Sequence, residues 1–117
     1  MIKTKYKIFI AKILFNFLRL FLSTVKVRKI DNIFWIIDLS EGIDLNLFLL
    51  RKFEPEILDT AKILAIKSKN KNILDIGANI GVHTLQFAKN FKDKKIHSIV
   101  PTSYCFKKLK KNLSINP

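Results

Sequence analysis

The residues best placed to do chemistry are the glycines of Asn72-Ile73-Leu74-Asp75-Ile76-Gly77-Ala78-Asn79-Ile80-Gly81. A bound molecule can come close to a protein backbone only where side chains are absent, and Gly77 and Gly81 supply two such positions. They follow a short apolar run of strand type, and open α/β sheets bind their ligands outside the carboxyl ends of strands. The spacing is Gly-x-Asn-x-Gly, not the Gly-x-Gly-x-x-Gly that wraps a dinucleotide pyrophosphate. Position 100, where a nicotinamide domain would carry an acid, is Val100, which disfavours such a domain further. Asp75, two residues before the first glycine, offers a carboxylate that can orient an ammonium group or a bound water, which suits a cofactor bearing an amino-acid moiety. On spacing alone, a tight strand-to-helix turn without a ligand satisfies the same pattern.

Other chemistry-bearing residues are few. The two histidines, His83 and His97, are candidate bases, but one falls just inside a predicted helix and the other in a predicted strand, where a structural role is the simpler reading. The single cysteine, Cys105, permits no internal disulfide and fits no metal-ligand spacing, so no metal site is expected and a reducing cytoplasm is the default.

Regular elements must hold the glycine loop in place. Ile73–Ile76 reads as a buried strand, and Val82, Leu85, Ala88 and Phe91 recur at helical spacing after the loop. Ile96–Val100 reads as a second strand. A second helix follows, capped by Thr102 or Ser103, with Phe106, Leu109 and Leu113 inward and Lys107, Lys108, Lys110 and Lys111 in water. Strand–helix–strand–helix order implies a parallel sheet. Upstream, Val25–Lys29 and Ile33–Leu39 are β-rich runs separated by Asp31-Asn32, residues that tolerate hairpin turns. Asp44–Lys52 is apolar without a clear period. Pro55 in Phe53-Glu54-Pro55-Glu56 starts a helix carrying Ile57, Leu58, Ala61, Leu64 and Ala65, which runs out in the polar stretch 67–72. Three segments are therefore expected, 1–24, 25–71 and 72–117, within a chain of 117 residues that has room for one small domain.

The formal charge of +13 is unevenly distributed: residues 1–29 carry only positive charges, whereas 30–60 hold seven acids against Arg51 and Lys52. Nearly all the cations are lysine, and no nucleic-acid-binding motif is present, so a nucleic-acid partner is not expected. Residues 7–22 are densely apolar but broken by Lys12 and Arg19, too short and too charged to span a bilayer, and Ser23-Thr24 makes only a weak cleavage site. Lys12, Asn16, Arg19 and Ser23 share one helical stripe, which predicts an amphipathic helix. Such a helix suits an anionic membrane surface or packing on its own domain or a partner equally well.

Asp75-Ile76-Gly77-Ala78-Asn79-Ile80-Gly81 resembles the first motif of the FkbM family of S-adenosylmethionine-dependent methyltransferases. The likeness extends to Asp38-Leu39-Ser40-Glu41-Gly42-Ile43-Asp44, to Phe53-Glu54-Pro55-Glu56, and to Pro101-Thr102-Ser103-Tyr104 with Leu109 and Asn112. It implies a class I methyltransferase (Rossmann-like) α/β fold and O-methyl transfer to a hydroxyl of a small-molecule sugar or natural product. S-adenosyl-L-methionine is the implied cofactor, its methionine and ribose portion lined by Gly77, Ala78, Asn79 and Gly81, with Asp75 beside them. The chain departs from the family where Val100-Pro101 replaces Glu-Pro, whose carboxylate accepts from the ribose hydroxyls. Loss of hydrogen bonds to a charged acceptor, about 1.5–3 kcal/mol, is one to two decades in affinity. Because the chain stops at Asn116-Pro117, the expected fold is an incomplete half-sheet preceded by an amphipathic helix and a β-hairpin, and the expected protein is a truncated, inactive form. The alternative is a cytoplasmic binding protein, peripheral at the membrane surface through residues 7–22 and without enzymatic activity.

Overall fold

A computed structural model of the chain describes residues 4–21 and 25–116. Leu22 and the Ser23-Thr24 pair lie outside the described residues. The chain divides into two compact units, one taking residues up to Asp31 together with Trp35–Phe53, the other Asn32–Phe34 with Glu54–Pro117. The described residues form a mixed α/β fold with two two-stranded sheets.

The first unit opens with helix α1 (Thr4–Phe21), which starts three residues before the expected position 7 and has no acid in its first turn. Strands β1 (Val25–Ile30) and β2 (Ile33–Asp38) form the expected hairpin. Its turn residues, Asp31 and Asn32, take φ of 49° and 59°. Positive φ at both positions is the type I′ hairpin turn, and Asp and Asn reach that region more readily than most residues. Along β2, Trp35 and Ile37 are buried while Phe34 between them is exposed, the alternation of a one-sided strand. The stretch without a clear period forms helix α2 (Gly42–Leu50), which packs against α1. Leu45 and Leu47 join Trp35, Ile37 and Leu39 in this unit's core. Asp44 fixes the junction: fully buried on α2, its Oδ2 accepts the Asp38 backbone N–H at 2.6 Å. Arg51, at φ 55°, ends the helix in a left-handed cap.

In the second unit Pro55 stands at the first turn of α3 (Pro55–Lys67). No residue of α3 is fully buried: Leu58, Ala61 and Ala65 are half-buried, Ile57 and Leu64 exposed. Strand β3 (Asn72–Ile76) pairs in parallel with β4 (Lys95–Ile99), Asp75 opposite Ser98 and Ile76 opposite Ile99, joined by α4 (Val82–Asn90). The second strand thus ends at Ile99 and leaves Val100 just beyond it. α4 buries Val82, Thr84, Leu85 and Phe87, with Phe91 following and Ala88 half-buried.

Two expectations need correction. Ile73–Ile76 is buried on one side only: Asp75 is buried and Ile73 half-buried, while Leu74 and Ile76 are exposed together with Ile99. Alternate residues of a strand face opposite ways, and α4 covers only the face that carries Asp75 and Ser98. Helix α5 (Ser103–Ser114) is turned from its expected orientation. Leu109 is buried, but Phe106 and Leu113 are exposed, and Lys108 and Asn112 are buried with it. Polar anchors set that rotation. Asn112 Nδ2 donates to the Ile80 carbonyl at 2.9 Å. Beyond the helix, Asn116 accepts from the Phe34 N–H at 2.8 Å and donates to the Phe34 carbonyl at 2.7 Å, pairing as a neighbouring strand would. The cap is Thr102, whose Oγ1 accepts from the Cys105 N–H.

Candidate functional site

The turn between β3 and α4 has three residues in the left-handed region: Gly77 at φ 80°, Asn79 at 49° and Gly81 at 93°. Positive φ at every second residue winds the backbone tightly enough to pass from strand to helix within five residues. The Gly77 and Ala78 N–H groups both donate to the Ile99 carbonyl, at 2.9 and 3.1 Å, which ties the loop to the end of β4. Gly81 N–H donates to the Ala78 carbonyl at 2.8 Å and closes the turn. Ala78 and Ile80 are buried, Asn79 half-buried, and the Asn112 carboxamide holds the Ile80 carbonyl from below.

The two glycines face different surroundings. A methyl group on Gly77 would meet nothing within 4 Å, so its bare Cα faces open space at the carboxyl end of β3. A methyl group on Gly81 would lie 2.3 Å from Leu109 Cδ1, so that side is already filled by α5. The first glycine leaves room for a ligand; the second leaves room for the protein.

Asp75 is set apart from the loop mouth. It is buried on the covered face of β3, where its Oδ2 accepts from Thr84 Oγ1 at 2.5 Å. Thr84 Oγ1 also lies 2.8 Å from Ser98 Oγ. A threonine hydroxyl has one proton, and the carboxylate is acceptor-only when ionised, so Ser98 donates to Thr84 and Thr84 to Asp75. Neither Thr84 nor Ser98 was marked by the sequence; their pairing needs both the β3–β4 register and the first turn of α4. A cavity of about 500 Å³ opens beside this network between α4, β4 and α5, lined among others by Thr84, Ser98, Phe106 and Leu109 and not by residues 77–81.

The histidines take separate positions. His83, in the first turn of α4, stacks on Phe87 with ring centroids 6.0 Å apart and holds Glu54 Oε2 at 3.2 Å. His97 lies on the open face of β4, its Nε2 2.9 Å from Asn72 Oδ1. Among the described residues no three of His, Cys, Asp and Glu gather as a metal site would require, and no helix is long and apolar enough to cross a membrane. The structure therefore brings Gly77, Ala78, Asn79 and Gly81 together in one turn, with Asp75 beneath it and the two histidines elsewhere.

No protein-family model matches the sequence, and no curated protein matches it. Among solved structures, a Pyrococcus horikoshii protein provisionally named as a transferase is similar, at 22% identity and a TM-score of 0.50. The likeness covers 81% of this chain and 33% of that one, so the chain spans about a third of the length of the structure it matches. At this identity the likeness shows a shared α/β fold.

Proposed function

We propose that the chain carries the S-adenosylmethionine-holding loop of a methyltransferase of FkbM type, acting on a hydroxyl of a small-molecule sugar or natural product. The observation that carries this reading is Gly77: a residue of positive φ at the carboxyl end of a parallel strand, with open space where a side chain would stand. Its sequence context resembles the family's first motif, and a similar solved structure bears a transferase name. The cofactor would supply an electrophilic methyl group. Gly77 and Asn79 would face it, Ala78 and Gly81 would shape the turn, and Asp75 would brace the strand through Thr84.

The fit is partial. The Gly77 and Ala78 N–H groups are committed to the Ile99 carbonyl, so the cofactor must be met by other groups of the turn. Val100, next after that carbonyl, offers no acceptor to the ribose hydroxyls. Weak binding is the consequence. Calorimetric titration of the 117-residue chain with S-adenosylmethionine and S-adenosylhomocysteine tests the reading. Val100→Glu should tighten binding by about ten- to a hundredfold, since a charged acceptor gains about 1.5–3 kcal/mol. Asn79→Gly, which keeps positive φ accessible, should abolish the gain and leave the fold intact by circular dichroism. If folded Val100→Glu binds neither compound, the turn is structural and the proposal fails.

A further inference from the structure

We propose that α1 docks the protein on an anionic lipid surface, lying in the membrane interface along its length. The inference is independent of the methyltransferase reading. Phe9, Ile10, Ile13, Leu14, Phe17 and Leu20 all have exposed side chains, Phe9 at 62% and Leu20 at 76%. At 3.6 residues per turn these six positions fall within about 140° of the helix circumference. Phe15 lies on the opposite side of the helix and is half-buried, the only α1 side chain so placed among those described. The helix therefore packs on α2 of its own unit, with Phe15 half-buried, and presents an apolar side to solvent. Lys12 and Asn16, both exposed, border the solvent-facing side.

Charge identifies the occupant. From the start of the chain to Ile30 the sequence holds eight Lys and Arg residues and no acid. A second copy would set those cations against their like. A protein groove would have to be acidic at its rim and about 27 Å long to match an 18-residue helix. An anionic bilayer offers a flat surface of opposite charge with an apolar interior beneath it, which satisfies both features of the helix at once. Among the described residues no helix can cross a membrane, so the apolar face enters the interface and goes no further.

Vesicle cosedimentation of the full chain tests the proposal. Vesicles of equal parts phosphatidylcholine and phosphatidylglycerol should capture at least tenfold more protein than phosphatidylcholine alone, and about 1 M salt, where screening acts within about 3 Å, should remove the difference. The double variant Phe9→Ser with Leu20→Ser should lower partition on the order of a hundredfold, because both side chains lose a burial they gain only in lipid. Trp35, 1% exposed and the chain's one tryptophan, reports by its emission that the variant is folded. In Phe9→Trp, the added emission should shift to the blue on binding. Equal capture by neutral vesicles, capture indifferent to Phe9 and Leu20, or no capture would each overturn the proposal. A mass that doubles with concentration and no capture would assign the face to a second copy, and enrichment only on an acidic protein would assign it to a protein groove; either result overturns it.

Discussion

Gly81→Ala should be far more destabilising than Gly77→Ala, although both replace a left-handed glycine in one turn. Each substitution forces a Cβ into positive φ, at 93° for Gly81 and 80° for Gly77, a strain of about 1–3 kcal/mol. At Gly77 that is the whole effect, since nothing lies within 4 Å of the new methyl. At Gly81 the methyl would sit 2.3 Å from Leu109 Cδ1, so the Leu109 side chain, 3% exposed, must shift within the cavity that it lines. Overpacking of that kind costs about 1–3 kcal/mol more, so Gly81→Ala should lose about 2–6 kcal/mol against a whole-domain stability of about 5–15. Leu109→Ala alone should cost about 2–5 kcal/mol. The double variant should cost less than the sum of the two by about 1–3 kcal/mol, because the truncated Leu109 no longer opposes the methyl. Urea denaturation followed by far-ultraviolet circular dichroism measures all four proteins. Equal losses at the two glycines, or strict additivity at the pair, would refute the seating of Leu109 against Gly81.

Thr84→Val should cost about 1–3 kcal/mol by chemical denaturation, because it removes the hydroxyl that donates to the buried Asp75 carboxylate. Thr84→Ser, which keeps the donor, should recover most of that loss. Asn116→Ala should cost about 1–3 kcal/mol, since it leaves the N–H and carbonyl of Phe34 without their carboxamide partners, and hydrogen exchange at the Phe34 amide should quicken. The hydrogen bond from Lys71, at 2.8 Å, together with its charge, holds the Asp93 carboxyl below the ordinary aspartate range. A depressed folded-state value stabilises above the unfolded value and is lost as pH falls through the folded one, so the contribution is present at neutral pH and disappears only in acid. Carbon-detected titration should show the Asp93 midpoint rise in Lys71→Gln, and salt should shrink the difference because the pair is exposed.

Local signals made some elements legible. Asp31-Asn32 marked the hairpin because both residue types tolerate the positive φ of a type I′ turn, and Pro55 marked the start of α3 because the first helical turn does not need its N–H. The parallel β3–β4 pair followed from two short apolar runs with a helical period between them. α2 was illegible because its leucines surround the helix and leave no stripe; what settles it is tertiary, the Asp44 side chain holding the Asp38 amide. The face of α5 was misjudged for a related reason. Phe106 and Leu113 are large and apolar, but Asn112 has a carbonyl to reach and Leu109 fills the space that Gly81 leaves, and together these fix the rotation. The pairing of Asn116 with Phe34 joins residues 82 apart, a separation over which no periodicity speaks.

The candidate site shows the same limit more sharply. In the sequence Gly77 and Gly81 are equivalent, two positions without side chains bracketing a turn. In the structure they answer to different constraints, and packing against Leu109 is by itself sufficient reason for glycine at 81. The weight of the motif as a ligand signal therefore rests on Gly77, the glycine whose open side α5 does not fill. The Gly77 N–H is held by the Ile99 carbonyl, which anchors the loop, and Val100 follows that residue directly in sequence. The departure at Val100 thus comes directly after the residue that ties the turn to β4. A carboxylate restored there would act on a loop already held by two hydrogen bonds, so its effect on affinity would come from a new contact and not from reordering the turn.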